Sequence, residues 1–372
     1  MKKIPTNVVE FSGGEAFMAP YRMFRDYWNH YRSNEGAKNL EFKNVRTDGT
    51  FINFTEKEDQ MNAALRKEIC RVANVGDMTG FSLEQWVTHP LLSWAAFAVV
   101  SAMIEMILPE SVIETIGVYT DVRTVGWGDS QSFDVEPRDL FVVSKAGLAQ
   151  RTAEIHKQFK GQVTLVPEMR ALTVEVALYK VLAGTESLAE FVMKAIKSFE
   201  TAISVDVYGV FTAAMDALPS TATTGLQVAG YTQEDLTSMC QRVTRWNGGS
   251  KAIIMGTPLA LNNILPNDAN YRYTLESDYV KLGYIRTAFG YDVMSLPQVA
   301  DPDTPWGTTL SDERLWVISP SSQKLVKLVL GGSTLSNTTG AFQNANLTQS
   351  ATIWKAWKAG IATNATAGVI TL

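Results

Sequence analysis

The spacing of apolar residues changes character twice along the chain. Behind Thr55-Glu56-Lys57-Glu58, the residues Met61, Leu65, Ile69 and Val72 recur every three to four positions, the period of one buried helical face. The Thr55 hydroxyl can accept from an orphan backbone N–H while Glu58 reaches back, so these four residues read as a capping box. Ser82 with Gln85 offers a second cap, ahead of the apolar run Leu91 to Leu108, which Pro90 and Pro109 bracket as one helix. Glu15 to Arg32 is dense in aromatics and arginine, a composition suited to a packed or partner-facing surface. Residues 1–116 are therefore expected to be mostly helical.

From Ile116 to about Lys180 the period becomes two. Val163 and Leu165 alternate with Thr164 and Val166, and Leu172, Val174, Val176 and Leu178 with Thr173, Glu175, Ala177 and Tyr179, which predicts strands. Within this region Lys145 to Gly161 is polar with charges of both signs, so the segment reads as an extended hairpin. A loop of that length is usually functional or mobile.

The helical period then returns. Ser187 and Glu190 form a capping box and Pro219 supplies a stop, with Leu188, Val192, Ala195, Phe199, Ala202 and Ile203 on one face. Glu190, Lys194, Lys197, Thr201 and Ser204 line the other face. Such a helix is roughly 45 Å long, a structural spine. Ser220 to Gly230 reads as a loop and a domain boundary. Thr232 with Asp235 caps a helix whose Leu236, Met239, Cys240 and Val243 share a face, and Asn247-Gly248-Gly249 ends it. A short strand, Ala252 to Met255, leads through Thr257-Pro258 into a helix expected to end at Pro266. Strands at Leu315 to Ile318 and Leu325 to Leu330, an Asn/Thr/Ser-rich loop and a last strand near Gly368 to Leu372 finish the chain. Helices packed on a mixed sheet define the α+β class.

Composition narrows the functional classes. The 372 residues predict about two or three domains with ample core. With 33 Lys+Arg against 38 Asp+Glu, a net charge of −5 and no basic run, a dedicated polyanion binder is excluded. Two cysteines, Cys70 and Cys240, give no disulfide framework and no close pair for zinc. Ile4-Pro5-Thr6-Asn7 interrupts any signal peptide, and Glu105 with two serines makes Leu91 to Leu108 a buried or subunit-contact helix rather than a membrane span.

Candidate chemistry is sparse. No Walker A motif occurs, and Gly126-Trp127-Gly128 lacks the third glycine of a dinucleotide fingerprint. Asp301-Pro302-Asp303 has only a fragment of a calcium loop and reads as an acidic surface turn. His30, His89 and His156 lie far apart in no catalytic context, and both cysteines read as inert core thiols. No catalytic, cofactor-binding or metal-binding residue is expected.

In their order, a helical arm, a charged hairpin, a spine helix and a compact mixed domain resemble the major capsid protein of tailed bacteriophages, the Hong Kong 97 fold. Two local segments sharpen the likeness. Asn247 to Met255, followed by Thr257-Pro258, is similar to the family's helix–glycine–strand–helix entry. Phe289-Gly290-Tyr291-Asp292-Val293 before Leu296-Pro297 is similar to its Phe-Gly-Tyr-Pro-Val segment, with Asp292 where proline is usual.

The resemblance implies an N-terminal arm at 1–116 and a peripheral domain at 117–219. That domain carries an E-loop at about 130–172 and a spine at 187–218. An axial domain would occupy 220–325, and 326–372 would return to the peripheral domain. It implies self-assembly into pentamers and hexamers of a virion shell built in the host bacterial cytoplasm. The shell would enclose double-stranded DNA without sequence-specific binding, with portal, scaffold and decoration proteins as further partners and no membrane. Lys145, Arg151, Glu154, Lys157 and Lys160 of the E-loop would contact a neighbouring subunit. An encapsulin-type nanocompartment is the alternative within the same fold, and a hydrolase with a scattered triad is the alternative outside it.

Overall fold

The computed structural model describes residues 18–33, 42–45, 51–52, 54–76, 89–117, 119–135, 160–176, 187–219, 225–264, 282–301, 303–319, 324–338, 349–363 and 365–372. Helix α1 (Met18–Ser33) leads into a short antiparallel pair, β1 (Phe42–Val45) and β2 (Phe51–Ile52), and then α2 (Phe54–Val72) and α3 (Pro90–Ile116). The aromatic stripe of α1, Tyr21, Phe24, Tyr27 and Trp28, is buried in a core shared with α2 and α3. Met61, Leu65 and Ile69 of α2 are buried with it, as their period predicts. Because α2 starts at Phe54, Thr55 lies within its first turn and not at its cap, a slip of the size usual at helix ends. Ser82 and Gln85 lie outside the described residues.

α3 departs from expectation at its end. Pro109 was expected to close the helix, yet α3 runs through it to Ile116. A proline in a helix interior costs about 3 kcal/mol. Burial of Ile107, Leu108, Val112 and Ile116 on the same face offsets it. By length and composition α3 could cross a membrane, but two-thirds of its most apolar window, 67%, is buried inside the protein.

Strands β3 (Thr120–Val125), β4 (Gln131–Val135), β5 (Gly161–Leu165) and β6 (Glu168–Val176) follow, and then α4 (Leu188–Asp216). Ser187 caps α4, its Oγ accepting the Glu190 N–H at 3.2 Å. Val192, Ala195, Phe199 and Ile203 are buried as expected, and Ser204, assigned to the polar face, is buried too. The α4 stripe is broader than the sequence implies because a sheet lies beneath each half of the helix.

The remaining elements are β7 (Gln227–Ala229), α5 (Gln233–Trp246), β8 (Ile253–Gly256), α6 (Pro258–Asn262), β9 (Thr287–Ala288), β10 (Tyr291–Ser295), β11 (Arg314–Ile318), β12 (Val326–Thr338), β13 (Gln349–Ile361) and β14 (Ala367–Thr371). One sheet has the order β3-β12-β13-β6, with β12 parallel to β3 and antiparallel to β13. α3 and α4 pack on it, and Phe199 meets Trp357 of β13 edge-on at 6.0 Å.

The second sheet has the order β7-β14-β11-β8-β10-β9. Its Met255, Trp316, Ile318 and Val369 face the large core with α4, while Ile254, Leu315, Val317 and Ile370 face α5 and α6. Thr232 and Thr257 cap these two helices, accepting the Asp235 and Ala260 N–H groups at 3.0 and 3.3 Å. α6 ends at Asn262, ahead of the expected stop at Pro266, and the stretch read as a loop at 220–230 contains β7. The expected block 326–372 divides: β12 and β13 join the first sheet, but β14 pairs with β11 in the second. Four consecutive buried residues, Ala367 to Ile370, need cover on both faces, which the second sheet has from α4 on one side and α5 and α6 on the other.

Candidate assembly surfaces

The hairpin expected from the sequence is present at its base. β4 and β5 pair antiparallel from Gln131↔Leu165 to Val135↔Gly161, forming a two-stranded ribbon. Phe133 and Leu165 root it in a small apolar cluster with Val329 and Ala362. The Arg123 guanidinium and the Lys327 ammonium lie 4.7 and 5.6 Å from the Phe133 ring centre, a double cation–π clamp. The opposite face of the ribbon is polar: Ser132 and Thr164 hydroxyls meet at 2.9 Å, and Lys160 Nζ lies 2.7 Å from Asp134 Oδ2. Lys160 is thus tied to the facing strand of its own chain. Lys145, Arg151, Glu154 and Lys157 lie outside the described residues.

A second feature was not foreseen. Where β12 bulges between Gly331 and Leu335, the Trp127 ring covers Gly332 and its Nε1–H donates to Ser333 Oγ at 3.0 Å. Gly332 has φ +62°, and a Cβ there would stand 2.4 Å from the indole, so only glycine fits. Beneath Trp127 opens a cleft of about 190 Å³ lined by Pro109, Val125 and Leu330, with Glu105 and Lys355 also in its lining. Lys355 donates to Gly332 O at 2.8 Å, and Glu105 Oε2 accepts the Thr334 N–H at 3.3 Å. Burial pushes the Glu105 carboxyl above its ordinary range, and Lys355 nearby works against that. Burial pushes the Lys355 ammonium down, opposed by Glu105. The single sequence cue was Glu105, a charge in an otherwise apolar helix.

Both cysteines and His89 hold structural positions. Cys240 is buried, and burial lifts its thiol to about 12, far from a reactive thiolate. Cys70 is buried as well. His89 caps α3, its Nδ1 accepting the Leu91 N–H at 3.4 Å. The His30 side chain and His156 lie outside the described residues. Among the described residues no three His, Cys, Asp or Glu side chains gather as metal ligands. Asp301 and Asp303 form a surface turn, as expected.

No protein family and no curated protein matches the chain in sequence. Among solved structures, it is similar to the capsid of the native GTA particle (12% identity, 70% of this chain and 90% of that one, TM-score 0.47). It is also similar to the mature capsid of bacteriophage PhiM1 (11% identity, 68% and 85%, TM-score 0.45). A third likeness is to the virus-like particle from Pyrococcus furiosus (11% identity, 72% and 97%, TM-score 0.39). Phage capsids are thus among the structures this chain is similar to, as the sequence resemblance implies.

Proposed function

We propose that the protein is the major capsid protein of a tailed double-stranded DNA bacteriophage, a subunit that assembles into pentamers and hexamers of an icosahedral shell around the genome. One observation carries the reading, the succession of its elements. A helical arm is followed by the β4–β5 ribbon bracketing residues 136–160, the 29-residue α4, the six-stranded sheet with α5 and α6, and the return of β12 and β13 beside β3 and β6. In these terms 130–172 is the E-loop, α4 is the spine and 220–325 is the axial domain, joined by the last strand.

A two-stranded ribbon is marginal by itself in water. Lying across a neighbouring subunit supplies the burial it lacks, with Lys145, Arg151, Glu154, Lys157 and Lys160 pairing with charges there. The work is mechanical, and no catalytic step is assigned. Portal, scaffold and decoration proteins are the further partners, and assembly takes place in the bacterial cytoplasm.

Electron microscopy of the purified protein tests the reading. The expected result is closed shells with five- and six-fold capsomers, and nuclease-resistant double-stranded DNA in particles from phage-producing cells. Small shells filled with protein would move the assignment to a nanocompartment. Monomers or dimers at every concentration would refute it.

A further inference from the structure

Trp306 is fully exposed, at 103% of its reference area. The turn that carries it is tightly built. Asp301 Oδ1 accepts the Asp303 N–H at 3.0 Å, and Asp301 Oδ2 accepts the Thr304 hydroxyl at 2.9 Å. The Asp301 N–H donates to Gly307 O at 3.0 Å, the Gly307 N–H donates to Thr304 O at 2.9 Å, and an Ala300↔Thr308 bridge closes the base. Trp306 itself has φ +62°, a left-handed conformation disfavoured for a bulky residue. The fold therefore holds a strained backbone whose visible result is an indole pointing into water.

The turn and the Trp127 cleft lie at opposite edges of the four-stranded sheet. Asp303 lines a groove formed by Arg170 and Leu172 of β6 with Phe199 and Asp206 of α4, which is the β6 edge. The cleft opens at the β3 edge, between Trp127, Pro109 and Leu330. At about 190 Å³ it is smaller than the roughly 300–1,000 Å³ of small-molecule sites. It is on the scale of a single side chain.

We propose that Trp306 of one subunit docks in the Pro109–Trp127–Leu330 cleft of a second copy of this chain. The indole packs against Trp127, and its N–H donates to the Glu105 carboxylate. An aromatic anchor filling a pocket is the usual form of an interface hot spot. Knob and hole at opposite edges make a heterologous contact, which repeats head to tail and closes into rings or extends into a lattice. The proposal deepens the shell-subunit reading and rests on it.

Wild-type, Trp306→Ala and Trp306→Phe chains are compared for particle formation by light scattering over a concentration series. Trp306→Ala is expected to raise the concentration needed at least tenfold, with the thermal unfolding of the free subunit unchanged, and Trp306→Phe to recover most of the loss. In parallel, Trp306→Cys chains are mixed with Ser333→Cys chains. The expected product is a disulfide-linked dimer that neither variant forms alone, since Cys70 and Cys240 are buried. Assembly of Trp306→Ala at the wild-type concentration, or no mixed disulfide, overturns the contact and leaves the shell reading intact. Wild-type chains that form no particles overturn the shell reading, and the mixed disulfide then decides the contact by itself.

Discussion

If α4 serves two sheets at once, cutting its grip on one must be felt by the whole subunit. Phe211, in the C-terminal half of α4, is 2% exposed. Its ring meets Trp316 of β11 edge-on at 5.5 Å and Tyr119 at 6.5 Å. Phe211→Ala removes that surface and leaves a cavity against a fully buried tryptophan, for a loss of about 3–5 kcal/mol. The edge-to-face contact accounts for about 0.5–1.5 kcal/mol of that loss. Against a total stability of about 5–15 kcal/mol, this is a large fraction. The assay is denaturant unfolding of the unassembled subunit, followed by tryptophan fluorescence and circular dichroism together. Lys197→Ala, exposed on the same helix, serves as control and is expected to change stability by less than about 0.5 kcal/mol. Both probes should shift together in one transition. A loss below about 1 kcal/mol, or separate transitions for the two probes, would refute the account of α4 as a helix shared by both sheets.

Deleting residues 145–161 should leave a soluble, folded subunit that forms no shells by electron microscopy; normal shells would remove the E-loop role. Gly332→Ala should lower stability by about 1–3 kcal/mol in denaturant unfolding, because its φ of +62° and the indole 2.4 Å from the new Cβ both oppose a side chain. Tyr21 has its phenol lifted from 10.0 to about 12, first by burial and then by its hydrogen bond to Glu110. A folded-state value above the unfolded one means stability that is full below pH 10.0 and lost as pH rises towards about 12. Tyr21→Phe should therefore flatten part of the alkaline decline, and an identical decline in both proteins would refute the assignment.

Elements with local signals were legible in the sequence. Ser187, Thr232 and Thr257 each cap a helix as their spacing implies, and Leu236, Met239, Cys240 and Val243 share a buried face. What escaped was set by distant partners. Lys355 and Lys358 interrupt the apolar run of β13, yet Ala351, Ile353, Lys355, Trp357 and Ala359 all turn inward, because β12 and β6 flank the strand and helices cover it. The alternation was present, but a buried lysine in the middle of it disguised the period. Pro109 misled for the same reason, local preference yielding to burial. The cleft needs α3, the β3–β4 turn, β12 and β13 together, and no single stretch of sequence announces it.

The strand order β3-β12-β13-β6 has a consequence for how the chain is made. β3 and β6 leave the ribosome early and become the two outer strands, but the pair that belongs between them arrives only with residues 326–361. Until then α3 and the N-terminal half of α4 lack the sheet they cover, and their apolar faces stay open to any nearby hydrophobic surface. Contacts this distant in sequence make for slow folding and a prolonged risk of aggregation. A nascent chain therefore needs shielding until β13 has emerged, and one released short of β13 lacks the centre of its sheet. Emergence of β13 thus acts as a timing signal: only a chain that has made it holds a finished four-stranded sheet.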